Sequence, residues 1–175
     1  MAKEKRKQIS LALQGGGAHG AYTWGVLDRL VEEEDLDITA ISATSAGALN
    51  AVAYASGMAE NGPQGAREKL EALWHAVSRA NRNVIPYAAL SPAVFAYASA
   101  LQSLASPYDF NPFNINPLRN VLEEQIDFDQ VSESGVQLFL SATNVQTGHV
   151  KVFSDGDISL DATLASACLP QTFRA

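Results

Sequence analysis

The sequence predicts an α/β protein built on a mainly parallel sheet, and three observations lead to this prediction. Short apolar runs alternate with segments in which apolar residues recur every three or four positions. The first two runs each end in a turn of small residues that opens directly into a helical pattern, which is the order of a βαβ unit. The 175 residues, 47% apolar and 18% charged, suffice for one packed core.

The first half of the chain supplies two strand-turn-helix units. The run Ile9–Leu13 predicts a buried strand that ends at three glycines, and a helical pattern follows over Ala18–Glu34. The second unit is a strand over Ile38–Ala43 and a small-residue helix that is expected to end near Gly57. A loop rich in glycine then leads to a helix over Ala66–Ala80.

The second half contains weaker patterns. The apolar segment Tyr87–Leu104 is interrupted by proline and serine, and it is open between a lid, a lipid-facing patch, a core helix and an oligomer contact. Beyond it the sequence predicts a helix over Leu118–Gln125, strands over Val136–Ala142 and Val150–Phe153, and a helix over Asp161–Cys168. We therefore expect one domain over 9–175, preceded by a basic tail over 1–8.

Composition excludes several classes of function. The net charge of −7 and the pI near 4.8 disfavour nucleic acid as a partner. Cys168 is the single cysteine, which excludes an internal disulfide and a cysteine-based zinc site. No export signal or membrane span is recognised, so we expect a cytoplasmic protein with at most transient contact with a membrane surface. No metal or organic cofactor is implied, and the oligomeric state is open.

The first turn with a candidate chemical role is the glycine turn, Gly15–Gly20, which fits G-x-G-x-x-G between a strand and a helix. Free amides at a helix N-terminus stabilise an anion, either a phosphate or the oxyanion of an acyl-transfer intermediate. Dinucleotide binding requires an acidic residue at the end of the second strand. The chain has Ser42, Ala43 and Thr44 there, which disfavours a nucleotide.

The second such turn runs from Ala43 to Gly47 and has the order of a nucleophile elbow, with Ser45 at its apex. Thr44 and Ser45 are flanked by small residues, as a sharp turn requires, although Ala43 stands where an elbow usually has its first glycine. A serine between a strand and a helix also serves as a helix N-cap. The turn alone leaves catalysis and capping open.

A serine nucleophile needs a base, and the three histidines are the conventional candidates. His19 lies in the glycine turn, and His75 lies in a charged helix. His149 follows the serine in chain order and is the candidate for a Ser-His-Asp triad.

The chain resembles the patatin-like phospholipases, which are serine acyl hydrolases with a Ser-Asp dyad and no catalytic histidine. The resemblance rests on the following segments: Gly15–Ala21, Gly25–Leu27, Thr44–Ala48, Ser106–Asp109, Asn116–Leu118, Ser166, Pro170 and Phe173. It implies a three-layer α/β/α fold, Ser45 as the nucleophile, and an oxyanion hole from the turn Gly15, Gly16, Gly17, Ala18, His19 and Gly20. Ala43, Thr44, Ala46 and Gly47 then form the elbow, and the reaction is hydrolysis of a lipid or other carboxylic ester.

The chain departs from the family pattern in two further places. His19 stands where the family usually has Arg or Lys, which makes any cationic help to the anion site pH-dependent. The family's catalytic aspartate follows the equivalent of Phe173 in a D-G-G or D-G-A motif, so we expect it beyond Ala175. The chain is then the front part of the domain and inactive by itself; the alternative is a non-catalytic binding or scaffold paralogue. Asp155–Asp157 precedes that segment and is expected to form a hairpin turn.

Overall fold

The computed structural model of the protein describes residues 6–84 and 116–168. Three features of the sequence analysis lie outside these ranges: the apolar segment Tyr87–Leu104, the motif Ser106–Asp109, and the positions Pro170 and Phe173. Within the described ranges the structure confirms a mixed α/β fold.

Four strands of the described ranges form one sheet, in the order in which they occur along the chain. They are β1 (Lys7–Leu13), β2 (Leu36–Ala43), β3 (Gln137–Thr143) and β4 (Val150–Ser154). The first three are parallel and β4 is antiparallel to β3, which confirms the mainly parallel sheet. The carboxyl ends of β1 and β2 therefore meet at one edge, where both small-residue turns begin.

The described helices pack on one face of this sheet. They are α1 (Gly20–Val31), α2 (Ala46–Val84), α3 (Pro117–Gln125), α4 (Phe128–Val131) and α5 (Leu160–Ala167). The helix α2 packs on the first three strands and on α1, and α5 packs on β3 and α2. The opposite face of the sheet carries Ser10, Ala12, Ser42 and Phe139, all of them exposed. The described helices thus form one of the two helical layers that the resemblance implies.

The core lies between α2 and the sheet. Ile41, Leu140 and Val52 are fully buried there, and alanines at Ala48 and Ala51 let the helix backbone approach the strands closely. Within residues 6–84 and 116–168, no helix is long and apolar enough to cross a membrane.

The helix α2 continues beyond the end that the sequence predicts. Only Asn61 (φ −150°) and Gly62 (φ 59°) leave the helical conformation, dividing α2 into a first arm, residues 46–60, and a second arm, residues 63–84. The prediction of a helix end near Gly57 was wrong, because this glycine serves a close contact between the arms. A Cβ on Gly57 would lie 2.3 Å from the carbonyl oxygen of Gly65.

Two strands begin earlier than predicted. The strand β1 starts at Lys7, inside the expected tail, and β2 starts at Leu36. The Lys7 amide donates a hydrogen bond of 2.7 Å to the carbonyl of Asp35, and Lys7 pairs with Leu36. Backbone pairing of this kind does not need apolar side chains, so hydrophobic patterning understates the length of a strand.

Candidate functional site

Ser45 lies at the turn between the carboxyl end of β2 and the first residue of α2, Ala46. Its φ of 55° places it in the left-handed region, where residues other than glycine are uncommon. Such a conformation costs on the order of 1–3 kcal/mol and persists only where surrounding contacts enforce it. In the part of the chain that the structure describes, Asp155 is the one other non-glycine residue with a positive φ. Ser45 thus occupies a sharp strand-to-helix turn.

The remaining elbow residues pack the turn tightly against β1. The Thr44 amide donates to the carbonyl of Leu13 at 3.2 Å, and the Gly47 amide donates to the carbonyl of Thr44 at 2.9 Å. A Cβ on Gly47 would lie 2.3 Å from the Leu13 carbonyl oxygen, so a side chain there has no room. Ala43 and Ala46 are buried, so the small residues of the elbow allow the close packing of helix and strand.

The glycine turn lies against the apex of this elbow. A Cβ built on Gly15 would be 3.0 Å from the Cβ of Ser45. Gly17 has a φ of 55° and begins a 3-10 turn over Gly17–His19. The amides of Gly16, Gly17 and Ala18 donate no hydrogen bond to any described residue. These three exposed amides follow Gly15, the residue that contacts Ser45, along the same turn.

The other end of the glycine turn uses its amides internally. The His19 amide donates to the Gly16 carbonyl at 3.1 Å, and the Gly20 amide donates to the carbonyls of Gly17 and Ala18. The imidazole Nδ1 of His19 lies 3.0 Å from the Gly16 carbonyl oxygen and must donate to it, because a carbonyl only accepts. Among the six residues expected to form an oxyanion hole, His19 and Gly20 thus have no free amide.

Ser45 contacts the last turn of α5 through its backbone. Its amide donates to Oγ of Ser166 at 2.9 Å, whereas its own Oγ makes no hydrogen bond within residues 6–84 and 116–168. Thr44 Oγ1 is hydrogen-bonded to Oγ of Ser141, near the carboxyl end of β3. Sequence reasoning missed Ser141, because its position depends on the pairing register of β2 with β3.

Asn50 is a second residue that sequence reasoning missed. Its side chain is fully buried; Nδ2 donates to the carbonyls of Gly20 (2.9 Å) and Ala46 (3.1 Å), and Oδ1 accepts from Nε1 of Trp74 at 2.8 Å. This amide therefore joins the end of the glycine turn, the start of α2 and the second arm of α2. The available signal was an asparagine inside an otherwise apolar helix segment.

The histidines do not complete a triad in the described structure. His75 lies on the second arm of α2, where its ring contacts that of Trp24 at 6.1 Å between centroids. His149 is exposed in the loop between β3 and β4, and its carbonyl accepts from the Asn144 amide at 2.8 Å. Neither these two nor His19 is hydrogen-bonded to Ser45 Oγ. The structure gives the triad with His149 no support.

Two other titratable features are the acidic turn Asp155–Asp157 and the Cys168 thiol. Asp155–Asp157 forms a 3-10 turn between β4 and α5, so the expected hairpin there was wrong; the hairpin loop is 144–149. Because β4 is antiparallel and Ser154 pairs with Phe139, which is level with Ser42, the chain at this turn runs toward the amino ends of the parallel strands and away from Ser45. Burial raises the pKa of the Cys168 thiol, which disfavours the thiolate at neutral pH.

In the ranges that the structure describes, no group of three or more histidine, cysteine or acidic side chains could hold a metal ion. Exposed backbone amides at the start of a helix, as in the glycine turn before α1, are groups that favour an anion.

Comparison with known proteins adds the following findings. A family model described as patatin-like phospholipase matches residues 11–175. Among curated proteins, none matches the chain. A solved structure of the heterodimeric ExoU-SpcU complex from the type III secretion system of Pseudomonas aeruginosa is similar, with 21% identity and a TM-score of 0.47 over 93% of this chain and 36% of that one. A second, of full-length SpcU with full-length ExoU, has 19% identity and a TM-score of 0.34 over 93% and 39%. The chain thus spans little more than a third of the length of these solved chains.

Proposed function

Because this chain belongs to the patatin-like phospholipase family, a family of lipid hydrolases, we propose that it carries the serine nucleophile and the oxyanion hole of a carboxylic ester hydrolase acting on lipids. The observation that carries the proposal is the left-handed conformation of Ser45 beside the unpaired amides of the glycine turn. A helix N-cap alone does not require this strained geometry, since N-cap residues ordinarily have extended backbone.

Ser45 Oγ attacks the carbonyl carbon of the ester, and its proton passes to a base. The carbonyl oxygen becomes an oxyanion that accepts hydrogen bonds from the amides of Gly16, Gly17 and Ala18. Each well-placed donor of this kind stabilises the transition state by about 3 to 4 kcal/mol. The bond to the alcohol then breaks, and water attacks the acyl-enzyme, releasing the fatty acid and restoring the serine.

The proposal assigns the base to an aspartate that follows Ala175. It is supported by the described acidic residues, none of which is hydrogen-bonded to Ser45 Oγ, and by the direction of β4, which leads the chain at Asp155 away from the edge that carries Ser45. The assignment is also supported by Ser45 Oγ, which makes no hydrogen bond to a described residue and is therefore available to a partner from a further segment. The 175-residue chain then holds the nucleophile and the anion site without an activated hydroxyl.

The test is covalent labelling with a fluorophosphonate, read by intact mass. Four proteins are compared: the 175-residue chain, the chain extended by the segment that follows it, and the extended chain carrying Ser45→Ala or Ser42→Ala. Ser42 is the matched control, because it is an exposed serine on β2, three residues before Ser45, whose hydroxyl donates only to the Leu11 carbonyl.

We expect one adduct on the extended chain and on its Ser42→Ala variant, and none on the other two proteins. Labelling that survives Ser45→Ala would refute the assignment of the nucleophile. Absence of labelling in a folded extended chain would favour the non-catalytic reading, in which the glycine turn binds an anion without turnover.

A further inference from the structure

The hydrogen bond between the Ser45 amide and Ser166 Oγ joins the elbow to a helix that lies 121 residues further along the chain. It is one of the contacts able to enforce the left-handed backbone of Ser45, and it acts on that residue itself. Because the bond runs through the amide, it leaves Oγ of Ser45 available for substrate. The contact therefore acts on the direction in which the hydroxyl points.

The Ser166 hydroxyl belongs to a well-packed helix, α5. Ser159 caps its N-terminus by accepting a hydrogen bond from the Ala162 amide at 3.2 Å. Ala162 and Leu164 are buried, and the helix packs against both β3 and α2. Ser166 lies half-buried in the last turn, so its Oγ is held in place by a packed element.

The bond also affects which amides can stabilise an oxyanion. The Ser45 amide is committed to Ser166 and is unavailable as a donor, whereas the amides of Gly16, Gly17 and Ala18 have no acceptor among the described residues. Ser166 does not take up the proton of Ser45, since a serine hydroxyl is not basic at neutral pH. Ser166 acts on Ser45 through the hydrogen bond that holds the Ser45 amide in place.

We propose that Ser166 is a positioning residue for the nucleophile: its Oγ holds the Ser45 amide, and this keeps the strained turn in the conformation that presents Ser45 Oγ to the ester. The inference rests on the proposed function of Ser45. A misplacement of about 1 Å in such a site lowers the rate by about 100-fold.

The test measures kcat and KM for a soluble ester, together with thermal stability, in the extended chain. Ser166→Ala removes the acceptor, and Ser166→Thr keeps a hydroxyl at the same position. Thr163→Val is the matched control on α5, because the Thr163 hydroxyl donates to the Ser159 carbonyl, which also accepts from the Thr163 amide.

We expect Ser166→Ala to lower kcat by about 10- to 100-fold with KM within about 2-fold, because orientation is lost while binding is kept. Ser166→Thr should recover most of the rate, and Thr163→Val should keep the wild-type kcat. Hydrogen exchange of the Ser45 amide should accelerate in Ser166→Ala alone. If Ser166→Ala does not fold, Ser166→Cys replaces it, since sulfur is a weak acceptor and kcat should still fall.

Ser166→Ala with the kcat of the wild type, or with a loss equal to that of Thr163→Val, would overturn the inference. The same holds if Ser166→Cys, used in its place, keeps the wild-type kcat. Ser45→Ala separates this failure from failure of the proposed function. If Ser45→Ala is inactive and Ser166→Ala is unimpaired, only the positioning role is lost. An extended chain that is inactive, or that stays active with Ser45→Ala, overturns both.

Discussion

Gly47 shows how one position sets the shape of the elbow. Only glycine fits at this position, because the first turn of α2 lies directly against the end of β1. The contacting atom is the backbone carbonyl oxygen of Leu13, which cannot move away as a flexible side chain can. The close approach also brings the glycine turn, which follows Leu13 along the chain, beside Ser45.

We predict that Gly47→Ala lowers the free energy of unfolding by about 1 to 3 kcal/mol, the usual cost of overpacking a tight site. Gly25→Ala is the matched control: Gly25 lies within α1, and a Cβ there would meet nothing within 4 Å. That substitution should stabilise the protein by about 0.5 to 1 kcal/mol through helix propensity. Urea denaturation measures both, and equal stability of the two variants would contradict the steric reading.

At the scale of elements, the candidate site depends on how α1 and α2 are held together. Both helices start at the same sheet edge, and the Asn50 amide bonds to the carbonyls that begin each of them. Trp74, from the second arm of α2, completes the network and covers Gly20. The bend at Asn61 and Gly62 brings that second arm back to the site.

We predict that Asn50→Leu costs about 1 to 3 kcal/mol of unfolding free energy, because it leaves the buried indole N–H of Trp74 without an acceptor. Trp74→Phe removes the indole N–H that Asn50→Leu leaves without an acceptor. The double variant should therefore cost clearly less than the sum of the two single variants in chemical denaturation. Additive costs would show that the bond between these side chains does not couple the two arms.

At the scale of the whole molecule, a buried phenol near the start of β2, at the end of the sheet away from Ser45, makes the folding stability depend on pH. Tyr54, on the first arm of α2, is buried near Asp37 of β2. Burial, and secondarily the Asp37 charge, raise the pKa of Tyr54 from 10.0 to about 12. Above pH 10 the unfolded chain loses this proton while the folded chain keeps it, so stability declines as the pH rises toward 12.

We predict a decline in unfolding free energy between pH 10 and 12 that is shallower in Tyr54→Phe than in the wild type. The slope is shallower because the variant lacks the Tyr54 phenol, which in this pH range ionises mainly in the unfolded chain. Tyr22→Phe, which removes a phenol that is 80% exposed, is the matched control. Denaturation curves at stepped pH give the slopes, and identical slopes for Tyr54→Phe and the wild type would rule out this linkage.

Local patterns in the sequence determined the order of strands and helices, the mainly parallel sheet and the two turns at its carboxyl edge. They did so because apolar periodicity and small residues at strand ends are properties of neighbouring residues. Patterning failed where a residue serves a distant contact: Gly57 suggested a helix end, and Lys7 was placed outside the first strand.

The tertiary structure decided which groups meet at the site. It paired the Ser45 amide with Ser166, buried Asn50 between two helices, and committed the amides of His19 and Gly20 within their own turn. It also led the chain at Asp155 away from the edge that carries Ser45, since β4 runs antiparallel. Strand register and helix crossing, which set these contacts, arise from packing across the whole chain and leave no local signature in the sequence.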